Sequence, residues 1–346
     1  MEIRPILSTL KRHKTAAALI VIEIALACAI ICNALFIVSQ RWDSLHQTSG
    51  IAEHELVTIQ LSGVGKQTNV DALAQEDLAA LRAVPGVTAA AMLSQLPFQS
   101  GSNNATLSVT PDQPVPTLNA AMYTGDEGTV RTLGLQIVAG RDFLSDEYMN
   151  WSVLMAIFSG NHSAPARTLP LIVSREAAEK LFPGQPAVGR TVYLADIPLV
   201  VVGVVQRLRR PHTNGSDSDT SYSMLLPLRQ NYTEGGLYVL RVADPAQRQR
   251  VLRESVAALD RVDGSRLVID KKTFDDQRRE YFSNDRDMIG LLLTVIAALL
   301  LVTALGIVGL ASFWVQQRTR QIGIRRALGA TKGQILRYFQ TENFLL

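Results

Sequence analysis

The stretch Gln316-Gln317-Arg318-Thr319-Arg320-Gln321-Ile322-Gly323-Ile324-Arg325-Arg326-Ala327-Leu328-Gly329-Ala330-Thr331-Lys332-Gly333-Gln334 decides how the rest of the chain is read. It follows Met288 to Val315, an apolar run without a charged residue. A run of that length crosses a hydrocarbon layer as a helix, so the cationic stretch emerges directly from a membrane span. As a helix it puts Arg318, Gln321 and Arg325 on one face and Ile324 with Leu328 on another. Gly329 is a fitting stop, and Thr331-Lys332-Gly333-Gln334 matches a capping box that starts a further helix. The predicted structure is a short surface helix, a turn, and a helix heading back toward the bilayer. Composition alone also fits a generic positive-inside anchor.

The rest of the charge follows the same logic. The chain has 346 residues and a net charge of +3. Arg4, Lys11, Arg12 and Lys14 precede the first apolar run against Glu2 alone. Arg318, Arg320, Arg325, Arg326, Lys332 and Arg337 follow the second against Glu342 alone. Between Trp42 and Asp287 there are 23 Lys/Arg and 28 Asp/Glu. The basic excess sits at the two ends, which excludes nucleic acid as partner: that would want a basic face on the folded domain. Lys and Arg near span ends set orientation, so both termini are expected in the cytoplasm and residues 41–287 outside it. Cys28 and Cys32 are the only cysteines and lie in the first apolar run. The middle domain therefore has neither disulfides nor a thiolate metal site.

Residues 1–14 read as an interfacial amphipathic helix, with Ile3, Ile6, Leu7 and Leu10 on one face and Arg4, Lys11 and Lys14 for anionic headgroups. Residues 15–40 read as the first transmembrane helix. Ala25-Leu26-Ala27 mimics a signal cleavage site, but the run continues past it to Val38. Glu23 and Asn33 are the polar residues inside this span. A carboxylate in hydrocarbon is costly, and an interhelical hydrogen bond is favoured for Glu23 over a proton relay. Trp42 and Trp314 fit interfacial aromatic belts.

The middle of the chain alternates strand and helix signals. Strands are expected at Glu55–Leu61, Val87–Leu96, Asn104–Val109, Leu118–Tyr123, Leu135–Val138, Thr191–Leu194, Ile197–Val205, Ser223–Leu226, Leu237–Val242 and Arg266–Ile269. Helices are expected from Asn69 or Asp71 to Arg82, over Glu127–Leu133, over Arg175–Leu181 behind a Ser174 cap, and over Pro245–Leu259. Thr273 caps a helix expected to run unbroken into the second span, residues 288–315.

Three sets of residues carry a resemblance. The cytoplasmic stretch resembles the "ERTREIGIRRALGA" signature of the MacB/FtsX/LolC superfamily of ABC-transporter permeases, with Gln317 and Gln321 where the family has Glu. Leu133-Gly134-Leu135 with Ala139-Gly140-Arg141-Asp142-Phe143 resembles its "LGI…AGRDF" signature. Leu171 to Glu176, Leu181-Phe182-Pro183-Gly184, Val188-Gly189-Arg190 and Val202 to Val205 resemble its later run. Met149 to Arg167 reads as an insertion relative to that pattern. The resemblance implies an α+β periplasmic domain of two lobes, with mixed sheets and flanking helices, between two transmembrane helices. The porter-like lobe would take about 51–99 and 223–286, and the distal lobe about 100–222.

The resemblance also implies that residues 316–346 hold a coupling helix docking on an ATPase subunit, through Arg318, Arg320, Gln321, Gly323, Arg325, Arg326 and Gly329. It implies an ABC ATPase that binds ATP and Mg outside this chain, a homodimer or a paralogous permease, a periplasmic adaptor protein, and residence in the bacterial inner membrane. The family has four spans, and this sequence stops where a third begins, so it reads as lacking the last two. Gly140, Arg141, Phe182, Pro183, Gly184 and Gly189 are read as fold signature, the glycines ending elements where positive φ or tight packing is needed.

No catalytic site is expected. Gly63-Val64-Gly65-Lys66 lacks the upstream Gly of a phosphate loop and is followed by Gln67 rather than Ser or Thr. The histidines show no metal spacing. Two other classes share two spans around a large middle domain: a periplasmic sensor, which needs a cytoplasmic signalling domain, and a polysaccharide copolymerase, which does not need the Gly-punctuated basic helix.

Overall fold

The structure, a computed structural model, describes residues 14–63, 69–111, 113–158, 168–195, 197–212, 221–230, 236–317 and 319–344. The chain divides into two compact units, Gln47–Ser283 and Met1–His46 with Asn284–Leu346.

The described residues of Gln47–Ser283 carry thirteen strands: β1 (Leu56–Ser62), β2 (Val87–Leu93), β3 (Asn104–Ser108), β4 (Leu118–Thr124), β5 (Ile137–Gly140), β6 (Met149–Asn150), β7 (Leu169–Ser174), β8 (Thr191–Leu194), β9 (Ile197–Val205), β10 (Ser223–Leu226), β11 (Leu228–Arg229), β12 (Gly236–Val242) and β13 (Leu267–Thr273). The smaller sheet has the order β13-β1-β12-β2, with every neighbouring pair antiparallel. Helix Val70–Arg82 joins β1 to β2, and helix Arg248–Val262 follows β12 and leads to β13. This is the interleaved double βαβ arrangement of ferredoxin-like domains. The second sheet is inserted between β2 and β12, where such a domain has a hairpin.

One face of the small sheet is dry. Val57, Ile59 and Leu61 alternate toward it, as a period of two requires. They meet Ala74, Leu78 and Leu81 at i, i+4 and i+7 of the first helix, and Val251, Leu252, Ala258 and Leu259 of the second. Leu78, only 1% exposed, is worth roughly 1.5–3 kcal/mol through that burial. The short helix Thr129–Leu133 packs against β2 and β12.

The larger sheet has the order β5-β9-β7-β10-β4-β3-β8 and closes because β8 also pairs with β9. One edge of β9 is shared, with Ile197–Val200 taken by β8 and Gly203–Val205 by β5. β7 with β9, and β4 with β10, are parallel; the other pairs are antiparallel. Ser174 caps helix Arg175–Leu181 by accepting from the Ala177 amide at 3.3 Å. That helix turns Ala177, Ala178 and Leu181 into the core with Leu171, Val173, Val201 and Leu226.

Three expectations need correction. The expected lobe seam at Ser223 moves, because β10 lies between β7 and β4 in the larger sheet. Met224, Leu225 and Leu226 are buried there, and a strand so placed needs pairing on both edges. Asn69 stands at the N-cap of its helix but is left-handed (φ 55°) and makes no side-chain cap. The expected unbroken helix is interrupted: Phe274–Tyr281 ends at Phe282 (φ −94°, ψ 11°), and a new helix starts at Ser283. Phe282 is buried, its ring 5.2 Å from Phe98 and 4.9 Å from Tyr281, and that packing fixes its backbone. The stretch from Met149, read as an insertion, is folded: β6 pairs in parallel with β11, and Leu154 enters the larger core. Residues 159–167 lie outside the described residues.

The other unit contains helices Lys14–Leu45, Ser283–Gln317, Thr319–Ala327 and Lys332–Phe344. The first helix runs unbroken through Ala25-Leu26-Ala27. The expected interfacial helix covers residues 1–14, of which 1–13 lie outside the described residues.

Candidate functional site

The basic stretch folds as a helix, a glycine turn and a second helix. Thr319 Oγ1 donates to the Gln316 carbonyl at 2.7 Å, where helix Ser283–Gln317 ends. At its far end Gly329 takes φ 92°, and its amide donates to the Arg326 carbonyl at 3.1 Å. That left-handed residue closes the helix at a cost only glycine avoids. Thr331 and Gln334 then exchange bonds: the Thr331 amide to Gln334 Oε1 at 3.0 Å, and the Gln334 amide to Thr331 Oγ1 at 3.4 Å. This is the reciprocal capping box expected from the residue spacing. Ile324, Leu328 and Leu336 are 55%, 82% and 60% exposed, and Arg326 and Gly323 are exposed beside them. Arg318 and the side chains of Arg320, Gln321 and Arg325 lie outside the described residues.

The two long helices pair along their length. Gly306 lies against the Glu23 carboxylate, and Arg41 forms an ion pair with Asp285. The first partner rises from 23 to 41 as the second falls from 306 to 285, so the helices are antiparallel. Ala27 and Ala34 are buried on one, Ile289 and Ile296 on the other. Small residues let the backbones approach, and spacings of seven keep the seam on one face. Glu23 is half-buried on that seam, and Asn33 is exposed. The windows Val21–Leu45 and Ser283–Gly309 are long and apolar enough to cross a membrane, with mean hydropathy 2.6 and 2.9. Exposed Trp42 lies near the end of the first, its ring 4.9 Å from His46. The Trp314 side chain lies outside the described residues.

With this geometry in view, the chain matches the family described as MacB-like periplasmic core domain over residues 15–258. The chain belongs to that family. Residues 293–346 of this MacB-like chain match the FtsX-like permease C-terminal family. The pyoverdine export ATP-binding/permease protein PvdT of Pseudomonas aeruginosa is 29% identical over 219 residues, 60% of this chain and 32% of that protein. The macrolide export ATP-binding/permease protein MacB of Chromobacterium violaceum is 30% identical over 179 residues, 51% and 27% of the two chains. The MacB-like chain thus spans about a third of the length of PvdT, 32%. Among solved structures, the periplasmic region of MacB from Actinobacillus actinomycetemcomitans overlaps with a TM-score of 0.40 at 16% identity, covering 68% of this chain and 97% of that one. The extracellular domain of the transporter YknZ from Gram-positive bacteria overlaps with a TM-score of 0.37 at 18% identity, covering 62% and 100%. Two apolar helices flanking a MacB-like periplasmic domain are the arrangement of an inner-membrane protein.

The residues read as fold signature do different physical work. Gly140 has φ 76°, and a Cβ there would lie 2.1 Å from the Val202 carbonyl oxygen. Arg141 forks onto Glu147 at 2.8 and 2.7 Å. Gly184 and Gly189 have φ 66° and 84° but open space around them. Phe182 is buried under the Arg190 guanidinium, 5.1 Å from its ring centre, and exposed Pro183 opens the turn.

Two polar clusters carried no signal in the sequence. Asp77, Arg266 and Tyr238 meet inside the small lobe: Tyr238 donates to Asp77 at 2.7 Å, and Arg266 Nη2 donates to Asp77 at 2.9 Å and to the Leu259 carbonyl at 2.9 Å. Burial pushes the Asp77 carboxyl above its ordinary value, although Arg266 and Tyr238 pull it back. Their spacing of 189 residues hides the pair from any local pattern. The second cluster surrounds Phe98, a left-handed residue (φ 61°) whose ring centre lies 5.3 Å from the Arg209 guanidinium and 4.9 Å from that of Arg278. Arg278 also donates to the Gln47 carbonyl at 2.9 Å and pairs with Glu53.

Among the described residues no group of three or more His, Cys, Asp or Glu is placed to hold a metal. His54 sits 3.0 Å from Asp275, and His46 Nδ1 is 2.8 Å from the Trp42 carbonyl. Val64 to Gln67, His13 and His162 lie outside the described residues.

Proposed function

We propose that this chain is a permease component of a bacterial ABC exporter, and that Thr319 to Phe344 is where an ATPase partner docks. The observation that carries this reading is the capped helix–Gly329–helix unit with Ile324, Leu328 and Leu336 exposed beside Arg326. Exposed apolar side chains on a capped turn in a cationic stretch suit a protein surface with an apolar hollow and an acidic rim. The basic ends put that unit in the cytoplasm and residues 41–287 outside. The chain itself is not the enzyme: ATP and Mg belong to the partner, whose hydrolysis drives export or a mechanical signal to the periplasmic lobes. A second copy or a paralogous permease completes the membrane part, and a periplasmic adaptor protein continues the route. Pyoverdine and macrolides are the cargoes named for PvdT and MacB, and small secreted molecules of that kind are the cargo class proposed here.

The test is reconstitution of the chain with its ATPase subunit. Arg325→Glu with Arg326→Glu should abolish ATP-driven transport while leaving the periplasmic unit folded. Wild-type transport by that double variant would contradict the assignment.

A further inference from the structure

Asp126 lies just beyond β4, where the two lobes of Gln47–Ser283 meet. Its carboxylate is 2% exposed, and neither oxygen accepts a hydrogen bond. Arg82, the last residue of helix Val70–Arg82, faces it from the small lobe with Nη2 3.7 Å from Oδ2. The guanidinium makes its hydrogen bonds elsewhere. Nε and Nη2 donate to the Ala90 carbonyl at 3.2 and 2.9 Å, and Nη2 to the Glu127 carbonyl at 3.2 Å. Asp126 thus has a charge partner across the seam and no donor. Three contacts stitch the same seam: the Ser94 amide to the Thr124 carbonyl at 3.0 Å, the Thr124 amide to Ser94 Oγ at 3.0 Å, and a bridge between Leu93 and Gly125.

A buried carboxylate without donors is costly when ionised. Burial pushes Asp126 up to about 7; Arg82 pulls it down, and Glu127 pushes it up. Glu127 is itself held by Arg229, with Nε 2.9 Å from Oε1. Arg229 and the phenols of Tyr148 and Tyr238 are the remaining charged or titratable groups that interact with it.

We propose that Asp126 is a proton-binding site on the seam between the lobes, and that the proton it takes up frees Arg82 from its charge partner across that seam. Ionised Asp126 holds the guanidinium toward the larger lobe. Protonated Asp126 is neutral, and Arg82 keeps only its bonds to the Ala90 and Glu127 carbonyls. The proton comes from the surrounding solvent, and no other ligand is involved. The proposal is independent of ATPase docking.

Two readouts follow the proton. The pKa is raised on folding, so Asp126 contributes stability that is full below its ordinary value of 3.8 and is lost as pH rises through about 7. The same linkage acts on the seam: an opening that hydrates Asp126 returns it toward its ordinary value, so acid favours the closed seam and ionisation weakens it. Hydrogen exchange on the full chain in detergent, corrected for intrinsic rates from pH 5.5 to 8.5, reports the seam directly. Peptides covering Val87–Ser94 and Thr124–Leu133 should lose protection as pH rises, with a midpoint near 7. Asp126→Asn should remove that step. Arg82→Gln should move the titration midpoint of global stability upward by about one unit, because losing the cation disfavours the ionised form. An unchanged seam profile in Asp126→Asn, or an unmoved midpoint in Arg82→Gln, would overturn the proposal.

Discussion

Gly306 makes room for Glu23: a Cβ at 306 would lie 2.8 Å from Glu23 Oε1 and 3.2 Å from Oε2. The carboxylate is the far end of a flexible side chain, so the conflict is graded. Gly306→Ala should be absorbed by a turn of Glu23, costing under about 1 kcal/mol. Gly306→Ile should overpack the seam and cost about 1–3 kcal/mol. Glu23→Ala should suppress most of the Ile penalty, a coupling measurable by denaturant unfolding of the detergent-solubilised chain. Additive effects at the two positions would mean that the residues do not share the space.

Gly140 and Gly189 both sit in motif runs but should respond differently. At Gly140 a methyl group meets backbone, 2.1 Å from the Val202 oxygen, at φ 76°. Gly140→Ala should cost roughly 3 kcal/mol or more, since strand β5 must leave β9 to relieve the clash. At Gly189 the space is open and only the left-handed backbone is penalised, roughly 1–2 kcal/mol. Thermal unfolding of the two variants, side by side, checks the ranking.

Removing Arg266 should strand the Asp77 carboxylate, which is fully buried. Arg266→Met should destabilise by about 3–5 kcal/mol near neutral pH. Asp77 is already raised by burial, and losing Arg266 raises it further. The stability it contributes is therefore present in acid and lost as pH rises. The Arg266→Met penalty should accordingly shrink between pH 8 and pH 5. A penalty that stays constant over that range would mean that the loss comes from packing alone.

Much of the chain was legible because its signals are local. Ser174 and the Thr331–Gln334 pair announce helix starts through residues three apart, and both caps form as read. Thr191–Leu194, Ile197–Val205 and Ser223–Leu226 emerge with the expected bounds. The seam of the membrane helices was only half legible. Glu23 stands out as a carboxylate in an apolar run, but nothing near it points to Gly306, and Arg41 gives no hint of Asp285.

The sequence by itself determined where helices and strands lie, that two apolar helices bracket a mixed domain, and that a glycine turn separates two basic helices. Those follow from side-chain periodicity, caps and charge over a few residues. Only the tertiary structure decided that β1 pairs with β12 rather than β2, that β10 joins the larger sheet, and that Phe282 breaks the expected rod. It alone brought Arg82 to Asp126 and Arg266 to Asp77. Partner choice between distant segments depends on which faces fill one another, and that complementarity is not written in the spacing of either segment.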